Sequence, residues 1–188
     1  MRRNHQLTGN LELLKNLSKL EYLDLSHTQV SGQLGALKST GTLTNLLLES
    51  TGVAGRLEDL QRMGRLTELR LQNTQVAGEL NCLRHMTQMR VLGLSHTNVV
   101  GQLENLRDLS HMSTLSLGNL RLEGRLESLK RLKSLQRLNL VKTQISGGLE
   151  ALQNSTWMEK LELRGTGISG DLSALKATQG ATCLRTPR

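Results

Sequence analysis

A 23-residue period runs through almost the whole chain and limits the folds that the chain can adopt. Seven periods follow one another without insertion or deletion, and each begins with an apolar residue: Leu20, Leu43, Leu66, Met89, Met112, Leu135 and Met158. A single period cannot bury its own leucines, so neighbouring periods must stack on one another. The repeat therefore predicts a solenoid that forms one domain over residues 1–188.

Each period has two parts with different spacing. In the period that begins at Leu66, Leu69 and Leu71 alternate with polar residues, which indicates a half-buried strand. Leu80 and Leu83 then lie three residues apart, a spacing typical of a 3₁₀ or irregular helical return. Stacking places equivalent strands side by side, so the predicted fold class is α/β, with a parallel sheet and short returns.

The period resembles the leucine-rich repeat family, whose motif L-x-x-L-x-L-x-x-N-x-L occurs here as L-x-x-L-x-L-x-x-T-x-V, for example from Leu20 to Val30. The resemblance covers about nine-tenths of the chain. The G-x-L that follows is similar to the plant receptor-like subclass, but no period has that subclass's Ile-Pro pair and each is one residue shorter. The resemblance implies a curved horseshoe whose concave sheet most often binds a protein or a peptide.

A glycine and a threonine mark the corner after each strand. The glycine occurs in all seven periods and predicts a positive φ or a close approach between turns; its positions are Gly32, Gly55, Gly78, Gly101, Gly124, Gly147 and Gly170. The threonine predicts a buried ladder of hydroxyls that satisfies corner carbonyls. Its positions are Thr28, Thr51, Thr74, Thr97, Thr143 and Thr166, with Leu120 as the exception.

The ends of the chain continue the period incompletely. Residues 1–19 are interpreted as a half repeat or an N-terminal cap, residues 20–180 as seven repeats, and residues 181–188 as a truncated eighth repeat or tail. Pro187 would end an eighth strand, because proline lacks the backbone donor. We expect a monomer or a fragment of a longer solenoid.

The outward strand positions form the predicted binding face. We expect a non-enzymatic scaffold that binds a protein or peptide there through Tyr22, Asp24, Glu68, Arg70, Arg137, Asn139, Lys160, Glu162 and Arg164. Charge on this face changes sign along the stack, because the first three periods are mainly acidic and the last four mainly basic. A bound partner would therefore place its basic portion near Tyr22 and Asp24.

Two other functions are open. The formal net charge of +8 would suit a weak nucleic-acid or anionic-surface binder, although the surplus lies on the returns and ends, as at Lys130, Arg131 and Lys133. Aromatic residues make up only 1% of the chain, which leaves little for base stacking. The chain could also recognise substrates for a kinase or a ubiquitin ligase.

No catalytic, metal or cofactor site is predicted. His27 and His96 occupy one repeat position, but three strand steps of about 4.8 Å keep them roughly 14 Å apart. Cys82 and Cys183 are far apart in the stack, and no phosphate-binding glycine motif is present. Without a long apolar run or a signal-like segment, we expect a cytosolic chain, with an extracellular location open if the sequence is a fragment.

Overall fold

The computed structural model describes residue 4, residues 6–175 and the backbone of residues 183–185. Two sheets of eight strands each run along the stack, and every strand pairing in them is parallel. The repeat therefore builds an open solenoid of stacked turns, as predicted. Pro187, the residue predicted to end an eighth strand, lies outside the described residues.

The first sheet contains the strands that the L-x-x-L-x-L motif predicts. Each strand has three residues: Tyr22–Asp24, Asn45–Leu47, Glu68–Arg70, Val91–Gly93, Thr114–Ser116, Arg137–Asn139, Lys160–Glu162 and Cys183–Arg185. Equivalent residues pair, as Leu46 does with Leu69. Each strand is centred on the first of the two alternating leucines, whereas the prediction centred it on the pair. Backbone hydrogen bonds between turns continue past the strand end, for example from the Leu71 N–H to the Gly93 carbonyl at 2.8 Å.

A second sheet replaces the predicted corner. Its strands are Thr8–Asn10, Gln29–Gln33, Gly52–Arg56, Gln75–Glu79, Asn98–Gln102, Arg121–Arg125, Gln144–Gly148 and Gly167–Ser169. The prediction of one parallel sheet was incomplete. Each strand of the second sheet buries little more than one branched residue, such as Val76, so its sequence lacks the alternation of apolar and polar residues that indicates a strand. Paired residues here differ by 21 in number, as Gly78 and Val99 do, so successive strands are offset by two residues relative to the period.

The returns are 3₁₀ helices of four residues, as the three-residue spacing predicts. They cover Leu11–Leu14, Leu34–Leu37, Leu57–Leu60, Leu80–Leu83, Leu103–Leu106, Leu126–Leu129, Leu149–Leu152 and Leu172–Leu175. Within the described residues none of these helices has the length and apolarity that a membrane span requires. Their inward leucines, the strand leucines and the methionines form one continuous core.

The corner glycine of each turn, which lies four residues after the ladder position, has a positive φ and also touches the preceding turn. Gly78 has a φ of +122°, and a Cβ on it would collide with Glu58 Oε2 and lie 3.0 Å from the Leu57 backbone nitrogen. Only glycine adopts this conformation without strain and also leaves room for the neighbouring turn. The positive φ and the close approach between turns, both predicted from the regular spacing of these glycines, therefore apply at the same residue.

The threonine ladder is confirmed as a set of hydroxyl donors. Thr74 Oγ1 donates to the Leu71 carbonyl at 2.7 Å, and the same bond recurs from Thr28, Thr51, Thr97, Thr143 and Thr166. Leu120 is 3% exposed and has no hydroxyl, so the Leu117 carbonyl lacks this bond. The ladder therefore caps the end of each first-sheet strand in six of the seven turns.

Candidate functional site

The outward face of the first sheet holds the nine residues that the sequence singles out. Strand register aligns Tyr22, Glu68, Arg137 and Lys160 in one column along the stack. Asp24, Arg70, Asn139 and Glu162 share the next column, and Arg164 follows two residues after Glu162. The structure thus places the predicted residues on one surface; that they bind a partner stays a prediction.

The first three turns form an acidic cleft of about 900 Å³ on this face. Its charged and aromatic lining consists of Tyr22, Asp24, His27, Glu49, Glu68 and Arg70. Glu49 Oε1 lies 3.0 Å from His27 Nε2, and Glu68 Oε2 accepts a hydrogen bond from Asn45 Nδ2 at 3.0 Å. Glu68 also pairs with Arg70, which neutralises much of its charge. Asp24 and Glu49 therefore supply most of the negative charge in the cleft.

The opposite end of this face, which we call the basic end, contains Arg137, Lys160 and Arg164. Its charge is more neutral than the sequence suggests. Arg137 pairs with Glu159 at 3.3 Å and Lys160 with Glu162 at 3.1 Å. Arg164 is exposed and makes no ion pair within the described chain. Because neighbouring carboxylates already share the charge of the first two cations, Arg164 is the strongest candidate for an anionic group of a partner.

A low, polar centre separates the two charged ends. Gly93 and Gly118 occupy outward columns, and the side chains of Gln72 and Asn139 fold over them. Between them, Ser95 Oγ and Ser116 Oγ lie 2.9 Å apart. Of this row, only Asn139 was singled out from the sequence, although the two glycines within outward columns were a signal that side chains from neighbouring turns close over them.

Residues in the left-handed conformation border the face. The residue before each ladder position has a φ between 54° and 72°, whatever its type: His27, Ser50, Asn73, His96, Asn119, Lys142 and Gly165. The same left-handed turn therefore recurs in every repeat because of the surrounding hydrogen bonds, and it does not require one residue type. Sequence analysis missed this column because its members share no chemistry. Of this column, His27 lines the cleft.

Metal-binding side chains do not cluster in the described residues. No group of three or more His, Cys, Asp or Glu side chains in this part of the chain could hold a metal ion. Burial, with a smaller contribution from the charge of Glu58, raises the pKa of the half-buried Cys82 thiol to about 12. The thiol thus stays protonated at neutral pH and donates to the Glu79 carbonyl at 3.1 Å.

Comparisons with known proteins give structural but no sequence relatives. No protein-family model and no curated protein sequence matches the chain. The solved ectodomain of the Arabidopsis receptor kinase HAESA, in complex with an IDA peptide hormone, superposes with a TM-score of 0.78 at 24% identity, over 91% of this chain and 31% of that one.

Two further structures agree. The ectodomain of the Arabidopsis thaliana membrane receptor kinase GASSHO1/SCHENGEN3, in complex with CASPARIAN STRIP INTEGRITY FACTOR 2, gives a TM-score of 0.76 at 22% identity, over 92% of this chain and 24% of that one. A leucine-rich repeat protein of Leptospira interrogans gives 0.70 at 20% identity, over 89% and 43%. None of these neighbours supports the predicted cytosolic location.

The present chain spans less than half the length of each of these proteins. The likeness rests on the stacked turns, which both the repeat and the two parallel sheets define. The chain therefore has the leucine-rich repeat fold.

Proposed function

We propose that the chain is a non-enzymatic recognition scaffold that binds an extended peptide or a protein segment on the outward face of the first sheet. The observation that carries this proposal is the continuous outward surface, with an acidic cleft of about 900 Å³ at one end and the unpaired Arg164 at the other. The HAESA ectodomain was solved with a peptide hormone ligand, which supports the class of partner.

The dimensions of the sheet suit a short peptide. Six steps of about 4.8 Å separate its first and seventh strands, a distance of roughly 29 Å. An extended chain advances about 3.3 Å per residue, so about nine residues would reach from Tyr22 to Lys160. Serine and amide groups in the centre can pair with peptide backbone groups, which need partners wherever they are buried.

Charge gives the bound peptide a direction. Its basic side chains would lie at the cleft, against Asp24 and Glu49, and its acidic side chains at Arg164. Aligned charges of this kind act on orientation and association rate more than on affinity. The tyrosine ring of Tyr22, 56% exposed at the rim of the cleft, offers the apolar contact that interface centres commonly use.

Selection from a displayed library of random peptides of about 12 residues tests this proposal. We expect enriched peptides to carry Lys or Arg toward one end and Asp or Glu toward the other, and to bind Asp24→Lys/Glu49→Lys at least about tenfold more weakly. Glu123→Lys/Glu150→Lys is the matched control, because both residues are exposed outside this face. Peptides that lose affinity for the control variant alone would contradict the proposed site.

A further inference from the structure

The corners between the 3₁₀ returns and the first-sheet strands hold the surplus positive charge of the chain. We call these seven corners, residues 15–19, 38–42, 61–65, 84–88, 107–111, 130–134 and 153–157, the basic edge. Asp108 is its one acidic residue, against ten basic residues. These are Lys15, Lys19, Lys38, Arg62, Arg65, Arg84, Arg107, Lys130, Arg131 and Lys133. The surplus of nine exceeds the formal net charge of +8 for the whole chain.

The fold brings these corners to one side of the stack. In six of the seven corners one residue faces inward, as the buried Met63 and Leu132 show, whereas Leu17 in the first corner is 47% exposed. The N–H of this residue donates to a return carbonyl in all seven corners. The flanking positions are exposed in every corner, apart from the partly buried Thr42. All ten basic side chains of the basic edge are exposed.

Most of the charge on the basic edge is uncompensated. Lys38 pairs with Asp59 at 2.9 Å, and Asp108 pairs with Arg107 at 3.4 Å and with Arg131 at 2.8 Å. The other seven cations make no ion pair within the described part of the chain. They are Lys15, Lys19, Arg62, Arg65, Arg84, Lys130 and Lys133.

The density of charge indicates a partner with many negative groups. Seven corners stacked at about 4.8 Å span roughly 29 Å, which gives about one net charge per 3 Å. A row of like charges at this density raises the local concentration of anions and favours an extended anionic partner over a single ion. Both a nucleic acid and an anionic bilayer have the required charge.

Trp157 distinguishes between these two partners. It lies in the last corner of the basic edge and is 67% exposed. An exposed indole has a favourable place among lipid headgroups, where its apolar ring and its N–H both find partners. Single-stranded nucleic acids instead need several aromatic rings for base stacking, and the described basic edge has no Phe, Tyr or second Trp.

We propose that the basic edge docks on an anionic phospholipid bilayer, with the Trp157 indole at the level of the headgroups. This interaction is separate from the proposed peptide site, because the corner residues are not in the outward columns of the first sheet. A docked molecule would therefore hold its peptide-binding face beside the membrane surface. Each Lys or Arg near such a surface contributes about fivefold to partitioning, and salt weakens the attraction.

Vesicle sedimentation with the full chain tests the proposal. Vesicles of phosphatidylcholine with about one-third phosphatidylserine would be compared with pure phosphatidylcholine, in low and high salt. We expect binding only to the anionic vesicles, lost at high salt, and partitioning weaker by more than about 100-fold for Arg62→Glu/Lys130→Glu/Lys133→Glu. The matched control is Arg90→Glu/Arg121→Glu/Lys142→Glu, which loses the same net charge from exposed positions outside the basic edge. Circular dichroism would verify that both variants fold.

The single tryptophan supplies a second readout. Its emission should shift to shorter wavelength on anionic vesicles and not on neutral ones. Equal loss of binding in both triple variants would show that net charge alone acts and would overturn the role of the basic edge. A bound protein with unchanged Trp157 emission would overturn the proposed orientation. Binding of a duplex oligonucleotide that depends on the edge, without vesicle binding, would make the site one for nucleic acid and overturn the lipid proposal.

Discussion

At the residue scale, Gly78 shows why the corner tolerates no side chain. Its φ of +122° and its contact with the Leu57 backbone act together, since a Cβ would be strained and would also displace the preceding turn. The backbone atom cannot move out of the way as a flexible side chain can.

Gly78→Val is therefore expected to lower the free energy of unfolding by at least about 1 kcal/mol, measured by chemical denaturation. Gly64→Val is the matched control, because a Cβ on Gly64 has nothing within 4 Å. An equal loss in both variants would show that loss of glycine, and not the corner geometry, is responsible.

Leu120 allows the stabilisation from a ladder hydroxyl to be compared with the stabilisation from apolar packing at the same position. Leu120→Thr would restore a bond to the Leu117 carbonyl, a gain of about 0.5–1.5 kcal/mol, but would remove buried apolar surface equivalent to about 2 kcal/mol. We expect net destabilisation in thermal unfolding, because Leu120 is 3% exposed and packed in the core. Higher stability of the variant would show that Leu120 is a defect in the ladder.

At the scale of elements, a carboxylate at the start of the return links the return to the next turn. Glu58 Oε1 accepts hydrogen bonds from the Glu79 N–H at 3.1 Å and from Arg56 Nη2 at 2.9 Å. Glu104 and Glu127 occupy the equivalent position and accept from Arg125 and Gly148 backbone N–H groups at 3.4 Å. These bonds tie three of the returns to the second sheet over the glycine.

The hydrogen bonds of the Glu58 carboxylate predict that the stability of the fold depends on pH. Burial alone would raise the pKa of Glu58, but hydrogen bonds from the Glu58 and Glu79 N–H groups and from Arg56 outweigh it and hold the pKa below its ordinary value of 4.5. A lowered folded-state pKa means that the stabilisation is complete above pH 4.5 and is lost as pH falls through the lower folded value.

Glu58→Gln should therefore unfold at a lower temperature than the native chain at neutral pH, and this difference should shrink as the pH falls below 4.5. Melting curves between neutral and acidic pH would measure it. Glu21→Gln serves as the control, since that exposed carboxylate accepts no side-chain hydrogen bond in the described chain. A constant difference at every pH would mean that the change acts through packing and not through the charge.

At the scale of the whole molecule, stacking places sequence differences between turns side by side, and the outward face therefore has opposite charge at its two ends. Negative charge gathers at Asp24 and Glu49, whereas the exposed Arg164 lies at the far end. No single turn contains this asymmetry, because it arises only when seven different turns are placed in register.

Reversal of the basic end should slow association with a peptide selected on the native chain. We expect Arg137→Glu/Lys160→Glu/Arg164→Glu to lower the association rate constant several-fold and to reduce its dependence on salt. Lys130→Glu/Arg131→Glu/Lys133→Glu, a reversal on the basic edge, should leave peptide association nearly unchanged. Stopped-flow kinetics over a range of salt concentrations would measure both, and the opposite pattern would contradict the proposed face.

The sequence alone determined the stacked architecture, because one leucine spacing repeated without interruption can bury its side chains in only one way. It also determined the positions of the short strands, the 3₁₀ returns, the glycine corner and the threonine ladder. Each of these follows from local spacing or from a residue type whose chemistry is specific.

Only the tertiary structure decided which of these features act together. The second sheet, its two-residue offset and the carboxylate link from Glu58 depend on contacts between turns, which no single period encodes. The pairing of Arg137 with Glu159 and of Lys160 with Glu162 likewise leaves Arg164 as the exposed cation. Charge listed by position cannot show this, since ion pairing depends on side-chain distances that stacking sets.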